Sequence, residues 1–178
     1  MTSYFTLRRG LIALAFSALA VSPAAAQLEG GPAIGDRAPV VSITDLDGKL
    51  FDLGSLIGKR PVLLEFWATW CGPCNALMPS VDAAHARYGQ QVAFVGINVS
   101  IGETPDGVRT WLAAHKPGFQ VLYDSAGAGS RSYDIQATST IIIIGSDGRV
   151  AYTGVGASQD ISGVLGRLLA QAPQTRSN

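Results

Sequence analysis

Residues 62–67 read Val-Leu-Leu-Glu-Phe-Trp, apolar at every position but one. A strand covered on both faces lacks the usual alternation, so this run predicts a buried strand of a parallel sheet with Glu65 as its anomaly. From Pro73 to about Tyr88 the apolar residues Ala76, Leu77, Val81, Ala84 and Tyr88 recur at helical spacing, and Gly89 follows. The pattern predicts a helix kinked at Pro79. Residues 92–99 repeat the buried-strand pattern, 106–115 read as a helix ended before Pro117-Gly118, and 120–123 as a short strand. Thr140 to Ile144 is β-branched throughout, Ser146-Asp147-Gly148 is a turn, Val150 to Thr153 returns, and Ile161 to Ala170 is an amphipathic helix. Ahead of these, Val40 to Thr44 and Lys49 to Leu53 flank the turn Asp45-Leu46-Asp47-Gly48 as a hairpin. The alternation predicts an α/β fold with a mixed, largely parallel sheet flanked by helices, in one domain over 35–171. A flexible lead over 27–34 precedes it and a polar tail over 172–178 follows.

The first 26 residues break this pattern. Arg8 and Arg9 precede a short uncharged run from Leu11 to Val21, and Ala24-Ala25-Ala26 offers small residues where a signal peptidase cuts. The apolar run is shorter than the ~20 residues a membrane span needs, so a cleaved export signal over 1–26 is the expectation and an uncleaved membrane anchor the alternative. The protein is then periplasmic. Over the whole chain of 178 residues, 13 Lys and Arg balance 13 Asp and Glu. That balance supplies no electrostatic footprint for nucleic acid.

Two cysteines in an exported chain are too few for a disulfide scaffold. Both stand in Trp70-Cys71-Gly72-Pro73-Cys74, at the junction of the buried strand and the first helix. Helix N-terminal N–H groups and the macrodipole stabilise a thiolate, which makes Cys71 the attacking thiol. Cys74, one turn further in, is expected to be the more buried and to resolve the mixed disulfide. A plain staple closing so short a loop contributes only about 2 kcal/mol. A metal site would need further ligands, and His85 and His115 lie at no ligand spacing to the pair.

Glu65, six residues before Cys71, is expected to have a raised pKa from burial and to take the proton of Cys74. The competing reading pairs it with Lys59 or Arg60. Trp67 reads as core and Trp70 as a residue bordering the cysteines that helps dock a partner. His85 reads as a surface or capping residue and His115 as a partner of the helix dipole.

The segment Glu65-Phe66-Trp67-Ala68-Thr69-Trp70-Cys71-Gly72-Pro73-Cys74 with Met78-Pro79 resembles the thioredoxin superfamily, and within it the TlpA/ResA-like exported thioredoxins. The likeness extends over roughly 35–170. It implies a thioredoxin-like fold with a helix-and-strand insertion at about 98–123, as in peroxiredoxin-type relatives. It also implies thiol-disulfide exchange with proteins of the cell envelope, often in cytochrome c maturation or copper-centre assembly, fed by a membrane thiol electron donor. Two positions depart from the pattern. Ser139, preceded by Thr138, stands where the family has a cis-proline, and Leu77 stands where many members carry a glutamate. A non-prolyl cis bond costs about 3–4 kcal/mol, so the Thr138–Ser139 bond is expected to be trans. The Ser139 hydroxyl is then a candidate donor to the Cys71 thiolate.

The resulting expectation is a monomeric periplasmic thiol-disulfide oxidoreductase that reduces more than it oxidises. Its catalytic residues are Cys71, Cys74 and Glu65, and its docking surface comprises Trp70, Gly72, Pro73, Thr138 and Ser139, with no cofactor and no metal. Two other readings stand beside it: a copper(I) metallochaperone using the same cysteines, and a peroxiredoxin-like thiol peroxidase.

Overall fold

The computed structural model describes residues 30–171. The expected export signal over 1–26 and polar tail over 172–178 lie outside the described residues. A small antiparallel hairpin comes first, β1 (Ser42–Thr44) and β2 (Leu50–Asp52), joined by the expected turn. The rest alternates as β3 (Val62–Trp67), α1 (Gly72–Tyr88), β4 (Ala93–Asn98), α2 (Pro105–His115), β5 (Gln120–Tyr123), α3 (Ala128–Ser132), β6 (Thr140–Ile144), β7 (Val150–Val155) and α4 (Ile161–Gln171).

Five strands form one sheet in the order β5-β4-β3-β6-β7. On one side of β3 the pairings are parallel, and on the other β6 and β7 run antiparallel. The sheet is therefore evenly mixed and not largely parallel as expected, because β6 and β7 are joined by the tight Asp147-Gly148 turn rather than by a helical crossover.

Every residue of β3 is buried, as its unbroken apolar run requires. Leu63 packs with Leu77, Val81, Ala84 and Ile141 under α1 and α4. Val62, Leu64 and Phe66 face the opposite layer, which holds Ile43, Val108 and Tyr133. Strand periodicity sends Glu65 to the α1 face with Leu63. Leu77, fully buried in that layer, occupies a position where a carboxylate would be desolvated against the sheet.

The expected insertion is present as α2 and β5, with β5 extending the sheet beside β4. Thr104 caps α2 through its hydroxyl, Pro105 sets the first turn, and Lys116 closes the helix in a left-handed conformation. Residues 30–34, inside the expected flexible lead, are tied to the domain. Gly31 donates to the Asp134 carbonyl, and the Thr153 hydroxyl donates to the Pro32 carbonyl.

Candidate active site

Cys71 and Cys74 form a disulfide at the start of α1. Cys71 is the helix N-cap, and its sulfur accepts the N–H of Cys74 at 3.1 Å. A sulfur in the N-cap role sits where the first-turn N–H groups converge, and those groups favour negative charge as soon as the disulfide opens. The expected difference in burial between the two sulfurs is absent: Cys71 is 2% exposed and Cys74 3%. The cysteines differ instead in what they face. Cys71 takes the capping bond, whereas Cys74 forms part of the wall of a small cavity behind the disulfide.

That cavity has a volume of about 30 Å³, room for a water or two. Glu65 lies on its floor and Trp67, Met78, Asp82 and Trp111 on its walls. The competing pairing of Glu65 with Lys59 or Arg60 is not formed. Arg60 instead donates to the Gly89 and Gln90 carbonyls at the far end of α1. Without a cation, burial, and to a lesser extent the negative charge of Asp82, push the Glu65 carboxyl up to about 7. Across the parallel pairing Glu65 faces Gly96. A Cβ there would lie 3.2 Å from Trp67 Nε1, so the indole of Trp67 takes the space a β4 side chain would occupy.

In front of the disulfide, Trp70 is 56% exposed and Gly72 and Pro73 are exposed. Trp70 borders an open groove of about 310 Å³ lined by Val99, Ile101, Ile135, Ala137 and Thr138. The Trp70 indole N–H is spent on the Ile101 carbonyl at 2.8 Å, which fixes the ring at the groove edge.

Ser139 immediately precedes β6 and is fully buried. Its N–H donates to Phe66 and its carbonyl accepts from Gly156, so the backbone there is anchored between two neighbouring strands. The Thr138–Ser139 bond is trans, as expected, and Ser139 adopts φ 63° in the left-handed region. Its hydroxyl finds no partner, neither sulfur included. The bond expected from Ser139 to Cys71 is therefore not made in the disulfide state.

Glu103 was missed by sequence reasoning. Its carboxylate accepts the Thr69 N–H at 2.9 Å and the Asn98 side-chain amide at 2.8 Å. Its carbonyl accepts the Tyr123 hydroxyl. The insertion thereby grips the Thr69-Trp70-Cys71 turn from outside the sheet. Only the turn signal at Gly102 and the helix-capping Thr104-Pro105 marked this loop, and neither points to Thr69. His85 packs edge-on against Phe94 and Phe119, and His115 stacks on Trp111, both apart from the cysteine pair. Among the described residues no three His, Cys, Asp or Glu side chains cluster as a metal site.

The family model for Redoxin matches residues 33–168, spanning the hairpin, the insertion and the cysteine pair. The chain belongs to the Redoxin family. This redoxin is 30% identical over 147 residues to the thiol-disulfide oxidoreductase ResA of Bacillus subtilis, covering 81% of this chain and 80% of that one. It is 32% identical over 117 residues to ResA of Bacillus thuringiensis subsp. konkukian, which covers 66% of each chain, just under two thirds of that relative's length. A secreted Mycobacterium tuberculosis disulfide oxidoreductase homologous to E. coli DsbE superposes with a TM-score of 0.62 at 29% identity, covering 72% of this chain and 96% of that one. Within the thioredoxin superfamily this redoxin is thus TlpA/ResA-like. The family is one of thioredoxin-like oxidoreductases, and the Cys71–Cys74 disulfide gives this member the dithiol pair such chemistry needs.

Proposed function

We propose that this redoxin is a periplasmic thiol-disulfide oxidoreductase that reduces disulfides of cell-envelope proteins. The observation that carries the reading is the position of Cys71 as the N-cap of α1, its sulfur already accepting a backbone N–H. In the reduced protein the Cys71 thiolate attacks one sulfur of a partner disulfide, the partner's S–S bond breaks, and a mixed disulfide forms. Cys74 then gives its proton to Glu65 and attacks the Cys71 sulfur. The bond to the partner breaks, the partner leaves with its second thiol, and two electrons have moved to it. The product is the disulfide state seen here. Trp70, Gly72, Pro73 and Thr138 present the front surface to the partner chain, while Ser139 acts from beneath by holding Thr138 between the strands.

The export signal expected over 1–26 supplies the location, and a membrane thiol donor returns the electrons in an oxidising compartment. Among the described residues no helix is long and apolar enough to cross a membrane. The reduction potential of the pair tests the direction of electron flow. A value near about −270 mV is expected for a reductant, and a value near about −120 mV would make the protein an oxidant. Cys71→Ser is expected to abolish exchange with an insulin or glutathione disulfide, and retained exchange would overturn the assignment of the attacking thiol.

A further inference from the structure

Asp82 is one of the exposed polar residues of α1, two turns past Cys74, and nothing in its sequence position sets it apart. It nevertheless lines the small, partly open cavity that Glu65 and Cys74 also line. The other elements around Glu65 bring no charge to it. Gly96 faces it from β4, Ile141 from β6, Trp111 from α2, and Phe119 from the segment before β5. Asp82 is thus the one charged side chain other than Glu65 itself on the cavity wall. A negative charge on the wall of a small cavity that holds no cation disfavours ionisation of a buried carboxyl lining the same cavity.

We propose that Asp82 is a positioning residue for the exchange reaction: from the α1 wall of the cavity it keeps a proton on Glu65 while Cys71 and Cys74 are joined. The proton is then in place for Cys74 when the disulfide opens. A reducing thiolate attacks the Cys71 sulfur, the S–S bond breaks, and the electron pair leaves on Cys74. Glu65 passes its proton to that sulfur and becomes a carboxylate. Two electrons come from the reductant. The inference rests on the reading that Glu65 exchanges its proton with Cys74, and it adds a residue that sets when the proton is available.

The test uses the oxidised protein with dithiothreitol as reductant and tryptophan fluorescence as readout. The opening rate, divided by the concentration of dithiothreitol thiolate, is followed from pH 5 to 9. In the unsubstituted protein this normalised rate is expected to fall as pH rises through about 7, where Glu65 loses its proton. Asp82→Asn is expected to move the fall to lower pH by about half a unit, a loss of about threefold at a fixed pH on the slope. Asp82→Lys moves it further in the same direction, and Asp82→Glu restores the original profile.

In a Glu65→Gln background the fall disappears and substitutions at Asp82 have no effect. If Asp82→Asn and Asp82→Lys leave the profile in place while Glu65→Gln removes it, the role of Asp82 is overturned and that of Glu65 stands. If Glu65→Gln leaves the profile unchanged, the Glu65 reading fails and this inference with it. An Asp82 effect that persists in the Glu65→Gln background also overturns the proposal, because the residue would then act by another path. Asp82 is exposed, so its variants keep the fold.

Discussion

The two sides of the Cys71–Cys74 disulfide are built from opposite materials. Behind it lies a narrow, water-sized space with a buried carboxyl and no cation among its lining residues. In front lies an open groove about ten times larger, lined by apolar side chains together with Ser130, Gln136 and Thr138 and rimmed by an exposed indole. The rear can hold and release a proton but cannot admit a partner, and the front can seat a polypeptide but offers no proton acceptor. Under the proposed function, this separation would let partner recognition vary without disturbing proton handling, because the residues lining one side do not line the other.

Glu65→Gln breaks the rear and should leave the front intact. The attack of Cys71 on a partner disulfide is expected to keep its rate while resolution by Cys74 slows about a hundredfold, so the mixed disulfide accumulates in acid-quenched samples read by mass spectrometry. Equal slowing of both steps would show that the two sides are not separable.

The same substitution has a thermodynamic consequence. A carboxyl raised from 4.5 to about 7 binds its proton more tightly in the native state than in the unfolded one. Native stability therefore falls as pH rises through that window, and below 4.5, with both states protonated, the penalty is gone. Removing the charge should stabilise the oxidised protein by about 3 kcal/mol at pH 8 and by little at pH 4, measured by urea unfolding. A gain independent of pH would mean that the carboxyl does not titrate there.

Glu103→Ala strikes the support of the front. It strips acceptors from the Thr69 N–H and the Asn98 amide, a loss of about 2 kcal/mol, with Glu103→Gln recovering part of it. It should also raise KM for a protein disulfide more than it lowers kcat, because the Trp70 edge of the groove loosens. The smallest effect is expected at Ser139. Replacement by Gly relieves a left-handed backbone and removes an unpartnered hydroxyl, which should raise the midpoint of thermal unfolding by an amount equivalent to about 1 kcal/mol. A lowered midpoint would show that the hydroxyl matters to the fold.

Features whose causes are local were legible in the sequence. The β3 run, the span of α1 from the cysteines to Gly89, β5 and β6 follow from short-range periodicity and turn residues. The cysteine pair follows from spacing alone. The contact between Glu103 and Thr69 bridges 34 positions and leaves no periodic trace, so it could not be read from the chain. Asp82 looks like any solvated helix residue until the fold brings it to the wall that Glu65 faces. The short α3 was missed because Ala-Gly-Ser-Arg-Ser has no apolar spacing. It forms because the buried Asp124 carboxylate accepts the N–H groups of Gly129 and Ser130.

The grip of Glu103 on Thr69 bears on how this architecture can be taken apart. An insertion joined only at its ends could be excised to leave a smaller working domain. Here the inserted segment supplies the acceptor for a backbone N–H two residues before Cys71, and the carbonyl that orients Trp70. Excision would strand those donors, and transplanting Trp70 to Cys74 into a scaffold without the insertion would carry over the cysteines but not the turn that presents them. The transferable module is therefore discontinuous: the cysteine segment together with the loop of residues 98–104.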